Sequence, residues 1–300
     1  MYERIEKEAS ELGFARVYFL PCLHLSSWEA RAKETGRGTG LFGDVAAAYP
    51  NAGCIALLVY PYRPFTKDER IPAYYFHSNA AYHAAKTLKE KLQALGIVCE
   101  DANIPYRALA IACGIGTIGK NGLLRIAPYG SRIVMQALAI EGLAPREESD
   151  HTPPCPSNCT ACMRACPTGA ITNEGLRVNC CMRTQMSTAL RTDEIKQLCS
   201  YHLGCERCLY ACPFNDMLEA QAPDSATREA FDLRRLILGD TAAARALVGK
   251  NNTSQGKLTA EAIVFAARQG LYEAEIRTAL DSPFEAVREA AQWVISAYFS

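Results

Sequence analysis

Ten of the chain's fourteen cysteines fall between residues 155 and 212, and their spacing constrains the fold more than any other feature. The run Cys155-Pro-Ser-Asn-Cys159-Thr-Ala-Cys162-Met-Arg-Ala-Cys166-Pro167 is answered by Cys205-Glu-Arg-Cys208-Leu-Tyr-Ala-Cys212-Pro213. A C-x2-C-x2-C-x3-C-P run gives three thiolates to one 4Fe-4S cluster and sends its fourth, before the proline, to a second cluster, so two runs interleave. The first run carries one extra residue between Cys155 and Cys159, which a loop absorbs. Cys155, Cys159, Cys162 and the returning Cys212 then form one ligand set. In the second run the expected first cysteine is replaced by His202. Cys166, Cys205 and Cys208 therefore need a fourth partner from Cys180, Cys181, Cys199 or His202. Zinc also takes C-x2-C pairs, but prolines directly after both terminal cysteines fit a zinc ribbon poorly. A disulfide framework is disfavoured because the first residues do not resemble a secretory signal.

Three hundred residues exceed what two clusters need, and length alone suggests about two domains. With 49% hydrophobic and 21% charged residues the composition is that of a soluble globular protein. Lysine plus arginine equals aspartate plus glutamate at 32 each, so any nucleic-acid surface must be a local patch. No apolar run approaches the ~18 residues that span a bilayer, and a cytoplasmic location is expected.

Residues 1–14 space Ile5, Ala9, Leu12 and Phe14 as a short amphipathic helix. Ala15 to Leu20 is a strand. The glycine-rich stretch 35–52 reads as loop, and the apolar run Cys54 to Tyr60 suits a strand buried on both faces. A helix is expected over 79–95, with Leu88, Leu92 and Leu95 on one stripe and Gly96 ending it. Strands follow at 97–99 and 132–140. Strands alternating with helices indicate an α/β layered domain over residues 1–150. A cysteine domain over 151–222 and a helical region over 223–300 follow. In that last part, five helices are expected at Phe231–Leu238, Ala243–Val248, Leu258–Ala267, Ile276–Leu280 and Phe284–Phe299, with Asp281 before Pro283 as an N-cap for the last.

The segment Gly114-Ile-Gly116-Thr-Ile-Gly119-Lys120-Asn121-Gly122 meets a G-x-G-x-x-G spacing, but a helical stretch precedes it and Asn121 follows the lysine. The context therefore fits a Rossmann turn poorly, and the G-K-[ST] of a P-loop is absent. Its glycines allow close approach of backbone to a large flat or anionic ligand, with Lys120 nearby.

Four features together resemble one family, the epoxyqueuosine reductases, which are similar in their core to reductive dehalogenases. They are Tyr82-His83; Arg107-Ala-Leu-Ala running into the glycine segment; the two cysteine runs; and the closing helical unit. The resemblance implies an N-terminal cobalamin-binding domain of reductive-dehalogenase or nitroreductase type, a ferredoxin-like domain with two 4Fe-4S clusters, and a small HEAT-like helical end. It implies reduction of the epoxide of epoxyqueuosine in tRNA, fed by a donor such as flavodoxin or ferredoxin, with no membrane partner. Contacts to the corrin are expected from Tyr82, His83, Arg107, Gly116, Gly119, Lys120, Asn121 and Ser131. In the family an isolated cysteine followed by an aliphatic residue completes the second cluster, which selects Cys181 before Met182.

The family places an aspartate seven residues before the arginine of its R-x-L-A segment; here that position is Glu100, with Asp101 beside it. Either carboxylate is a candidate proton donor to the leaving oxygen, and an enclosed one would be held protonated by desolvation. This departure keeps two other activities open: a relative reducing a different small electrophile, and an iron-sulfur electron carrier.

Overall fold

The computed structural model describes residues 1–36, 38, 40–185 and 193–299. Two compact units compose the chain. The first joins Met1–Tyr62, Ala80–Gly119 and Leu123–Ser157, and the second joins Arg63–Asn79, Lys120–Gly122 and Asn158–Ser300. The boundary expected at residue 223 falls inside the second unit.

In the first part of the chain the strands are β1 (Arg16–Leu20), β2 (Ala52–Pro61), β3 (Cys99–Asp101), β4 (Thr117–Ile118), β5 (Leu124–Arg125) and β6 (Ile133–Glu141). The helices are α1 (Tyr2–Glu11), α2 (Ser26–Thr35), α3 (Val45–Ala48), α4 (Ala73–Ala94) and α5 (Tyr106–Ala112). One sheet runs in the order β1-β2-β6-β3, every pair antiparallel, and β4 with β5 forms a separate hairpin. The layered mixture of strands and helices is as expected, but an antiparallel sheet is not what alternation usually builds. The long apolar run Cys54 to Val59, all at 0% exposure, reports only that helices cover both faces. It is silent on strand direction.

On one face Ile55, Leu57, Val59, Ala137 and Ala139 pack with Tyr49, Ile104, Leu109, Ile115 and Ile126, bringing α5 and the glycine segment onto the sheet. The other face meets α4, whose Gln93 donates to the Cys99 carbonyl at 3.0 Å and whose Lys91 reaches Glu8 of α1 at 2.8 Å. Ile5, Ala9, Leu88 and Leu92 are fully buried, so the amphipathic stripes fall where their spacing puts them.

Several boundaries move. The stretch 35–52 is not all loop, since α3 forms there, its Ala47 N–H capped by the Asp44 carboxylate at 3.0 Å. Helix α4 begins at Ala73 rather than 79, and Leu95 is 43% exposed, past its end. Gly96 at φ +77° turns the chain, and the Ile97 N–H closes the helix on the Leu92 carbonyl. Ile97 is thus spent on the cap, which shifts β3 from 97–99 to Cys99–Asp101.

In the second unit the two cysteine runs fold alike. Short helices Ala161–Ala165 and Arg207–Tyr210 pack on each other. Both runs leave their helices through an extended cysteine: Cys166 at φ −72°, ψ 115° and Cys212 at φ −81°, ψ 116°. The cause is local, because Pro167 and Pro213 exclude the helical region for the residue before them.

Further on, helices form at Ser225–Ala230, Leu233–Ile237, Ala242–Val248, Lys250–Thr253, Lys257–Ala267, Glu273–Thr278 and Glu285–Tyr298. Asp224 and Asp232 cap two of them through the N–H groups of Thr227 and Arg235. Asp281 is not the N-cap of the last helix. It closes a 3-10 turn, and Ser282, held extended at ψ 141° before Pro283, delays the start until Phe284 takes the cap position. No helix among the described residues is long and apolar enough to cross a membrane.

Candidate metal centre and active site

Cys166, Cys181, Cys205 and Cys208 lie within electrostatic reach of one another. Burial pushes the Cys205 thiol up to about 11, and Cys181 and Cys166 add to the rise. Cys208 is raised further by burial, then by Cys205, Cys181, Cys166 and Cys162. Burial also raises Cys166, but it is outweighed by hydrogen bonds from the Thr168 hydroxyl and from the backbone of Thr168, Ala170 and Ile171, which hold this thiol below its ordinary value. The loop Cys166-Pro-Thr-Gly-Ala-Ile thus wraps N–H donors around one sulfur, an arrangement that stabilises a thiolate. Among the described residues no three ligating side chains converge as for a single metal ion.

Of the other set, Cys162 and Cys212 are buried and Cys155 and Cys159 half-buried. Cys162 is the member near Cys208. Cys155 belongs to the first unit, whereas Cys159, Cys162 and Cys212 belong to the second.

Cys180, half-buried, ends the 3-10 turn Val178–Cys180. Cys199 is fully buried, its thiol donating to the Tyr201 carbonyl at 3.4 Å. The His202 ring packs on Phe265 at 4.6 Å. Burial holds His202 near 4 despite a hydrogen bond with the Phe231 backbone and the carboxylates of Asp232 and Glu69.

A pH dependence follows. Folded His202 stays neutral while the unfolded side chain gains its proton near 6.5. Stability from this residue is complete above about pH 6.5 and is lost as pH falls toward 4. Burial pushes His77 the same way, to about 4. Thermal denaturation of His202→Gln is expected to weaken less between about pH 7 and pH 5 than that of the unaltered chain, by about 2 kcal/mol. Equal losses would show that His202 titrates normally.

The glycine segment leaves α5 and enters the β4–β5 hairpin. Gly116 has φ +71°, and a Cβ there would stand 2.4 Å from the Arg125 carbonyl oxygen. Its own hairpin, rather than a ligand, therefore requires this glycine. Gly116→Ala is expected to lower the melting temperature by several degrees, the effect of about 1–3 kcal/mol of backbone strain; an unchanged melting curve would contradict the clash. The Gly119 N–H closes the hairpin on the Leu123 carbonyl at 2.9 Å.

Lys120 donates to the Cys159 carbonyl at 2.8 Å, tying the glycine segment to the first cysteine run. Asn121 and Ser131 are buried, and Arg107 is exposed. Tyr82 and His83 lie midway along α4 rather than at its start, because the helix begins earlier than expected. Both are exposed, their rings 5.3 Å apart edge to face. Ile111 and Ile118, on either side of Gly114 and Gly116, are 41% and 47% exposed.

The carboxylates are not enclosed, contrary to the expected desolvated acid: Glu100 and Asp101 are both exposed, because β3 is a three-residue edge strand. They face opposite sides. Glu100 stands opposite Ala139 and Asp101 opposite Leu138. Since Ala139 belongs to the face bearing α5 and Ile115, Glu100 shares the glycine segment's side of the sheet. Asp101 is on the α4 side, ion-paired with Lys89. Tyr49, whose hydroxyl accepts from the Asn103 N–H at 2.6 Å, is raised by burial first, with Glu100 and then Asp101 adding. Arg125 and Arg132, at 0% and 2% exposure, are buried cations in the first unit that no sequence pattern announced.

An antiparallel sheet covered by helices, with a second unit whose paired cysteine runs fold as two matching turns, defines the class: a protein of the epoxyqueuosine reductase fold. The likeness covers almost the whole chain. It superposes on an epoxyqueuosine reductase crystallised with an epoxyqueuosine-modified tRNA-Tyr stem loop with TM-score 0.78 and 19% identity, over 100% of this chain and 90% of that one. On the Bacillus subtilis enzyme, captured with its catalytic loop swung out of the active site, the TM-score is 0.76 at 20% identity, over 98% and 89%. No family model matches the sequence. Among curated proteins the chain is similar to the epoxyqueuosine reductase of Lactococcus garvieae, 32% identical over 111 residues, which are 36% of this chain and 31% of that protein. It is 28% identical to that of Synechocystis sp. over 169 residues, 50% of this chain and 57% of that protein. The sequence matches thus span about a third to just over half of these relatives' lengths.

Proposed function

We propose that this chain is an oxidoreductase that removes the epoxide oxygen of epoxyqueuosine in tRNA, using two 4Fe-4S clusters and cobalamin. The observation that carries the proposal is the gathering of Cys166, Cys181, Cys205 and Cys208 within a fold shared end to end with epoxyqueuosine reductases. Cys155, Cys159, Cys162 and Cys212 would hold the other cluster. In this reading residues 1–150 bind cobalamin and substrate, residues 151–222 carry the clusters in ferredoxin-like fashion, and the helices of 223–300 form the HEAT-like end.

The exposed side chains of Ile111 and Ile118 around Gly114 offer the apolar surface that the face of a corrin would cover. The family resemblance assigns Arg107, Lys120, Asn121, Ser131, Tyr82 and His83 to polar contacts with it, and Gly116 and Gly119 shape the hairpin. Bound cobalamin would supply a strongly reducing low-valent cobalt, with the clusters as its source of single electrons. The chain's own chemical task is to bring a proton to the leaving oxygen, and Glu100 is the carboxylate on the appropriate side of the sheet.

The test is anaerobic reconstitution with iron, sulfide and cobalamin, followed by incubation with an epoxyqueuosine-modified stem loop and a reductant. Queuosine measured by mass spectrometry of the digested RNA is the expected product. Fully loaded protein that leaves the epoxide intact would overturn the substrate, and the glutamate in place of the family's aspartate would then favour a different small electrophile.

A further inference from the structure

The second unit contains a cleft of about 860 Å³ whose wall includes four cations from three separate segments, Lys67 and Arg70, Arg207, and Arg268. Two acids, Asp68 and Glu69, share it, and Glu69 is already bound by Arg228 at 2.7 Å. None of the four cations forms an ion pair with a carboxylate among the described residues. In a chain with equal numbers of acidic and basic residues this is a local concentration of positive charge. Its position is chemically specific. Ala165, Arg207 and Ala211 line the cleft, and each is covalently adjacent to a cysteine of the two runs: Cys166, Cys208 and Cys212. Arg207 is also close enough to act on the Cys205 thiol. Of the three non-glycine residues with left-handed backbone among the described residues, Arg70, Gln255 and Tyr272, two stand on this wall. Such conformations are strained and collect at binding sites. Arg70 is held there by its carbonyl, which accepts the His202 N–H at 3.0 Å.

We propose that this cleft is the docking surface for an acidic one-electron carrier protein that reduces the clusters, an assignment that rests on the cluster reading above. Charge complementarity selects such a partner: a carboxylate-rich surface is drawn to the four cations and brought to rest one residue from the cluster ligands. One electron leaves the carrier's reduced flavin and enters a cluster; no proton or bond is exchanged at the contact.

The experiment uses reconstituted holoprotein and reduced flavodoxin as the probe, following bleaching of cluster absorbance by anaerobic stopped flow. Lys67→Glu combined with Arg268→Glu is expected to slow the bimolecular reaction by about tenfold or more and to flatten its dependence on salt. The charge-neutral pair Lys67→Gln and Arg268→Gln should give a smaller loss. Reduction by dithionite, which needs no protein docking, should be unchanged in both. An unaltered flavodoxin rate overturns the proposal, as does an equal loss with dithionite, which would mean that the charges act on the cluster itself. Loss of affinity for a tRNA stem loop with the flavodoxin rate intact would make the cleft an RNA surface instead. Iron analysis before the kinetics separates these outcomes from failure of the cluster reading, because a preparation without iron removes the premise and the proposal with it.

Discussion

Cys181→Ser is expected to lower the iron content of the reconstituted protein from about eight to about four per chain, whereas Cys180→Ser leaves it near eight. The two residues are neighbours in sequence but not in role. Cys181 acts electrostatically on both Cys205 and Cys208, while Cys180 ends a 3-10 turn. The turn leaves Cys181 extended at φ −74°, ψ 124°, with Met182 buried behind it. Serine offers an alkoxide too basic to replace a thiolate at neutral pH, so one cluster should be lost and the other kept. His202→Ala should leave the iron unchanged, because its ring packs on Phe265 and bonds the Phe231 backbone. Iron loss on changing His202 rather than Cys181 would mean a mixed ligand set. Cys166→Ser and Cys212→Ser should each remove the cluster opposite to their own run, which electron paramagnetic resonance of the remaining cluster would distinguish.

Glu100→Gln is the second large effect. It should retain both clusters and bound cobalamin, since amide and carboxyl are nearly isosteric, yet slow turnover by ~10²–10⁴-fold, the usual cost of a lost general acid. Asp101→Asn should be mild. The ranking follows from register: Glu100 stands opposite Ala139 on the face that carries α5 and the glycine segment, and Asp101 is on the other face with Lys89. Rapid-quench measurement of queuosine formation, with spectra confirming full cofactor loading, checks both variants. The reverse ranking would place Asp101 at the substrate, and two silent variants would move the proton donor elsewhere. Because both side chains are exposed in the free chain, the slow step in Glu100→Gln should respond to substrate binding.

The cysteine spacing, together with the two prolines, determined the local form of the cysteine-rich segment. The reason is short-range: a residue before proline is extended whatever surrounds it, so Cys166 and Cys212 leave their helices in the same way. The stripes of α1 and α4 and the buried run of β2 were legible for a similar reason, as periodicity states which side is buried. Tertiary structure alone decided what those patterns do not encode. Strand direction in the sheet was one such thing, because helices on both faces hide it. The nearness of Cys181 to Cys205 and Cys208 was another, because a separation of more than twenty residues along the chain does not state a distance in space. The need for Gly116 was hidden, because the Arg125 carbonyl that excludes a Cβ there comes from nine residues further along the chain. The cationic cleft was hidden most completely: its four charges lie between residues 67 and 268, and a chain with no net charge gives no sign that folding will gather them.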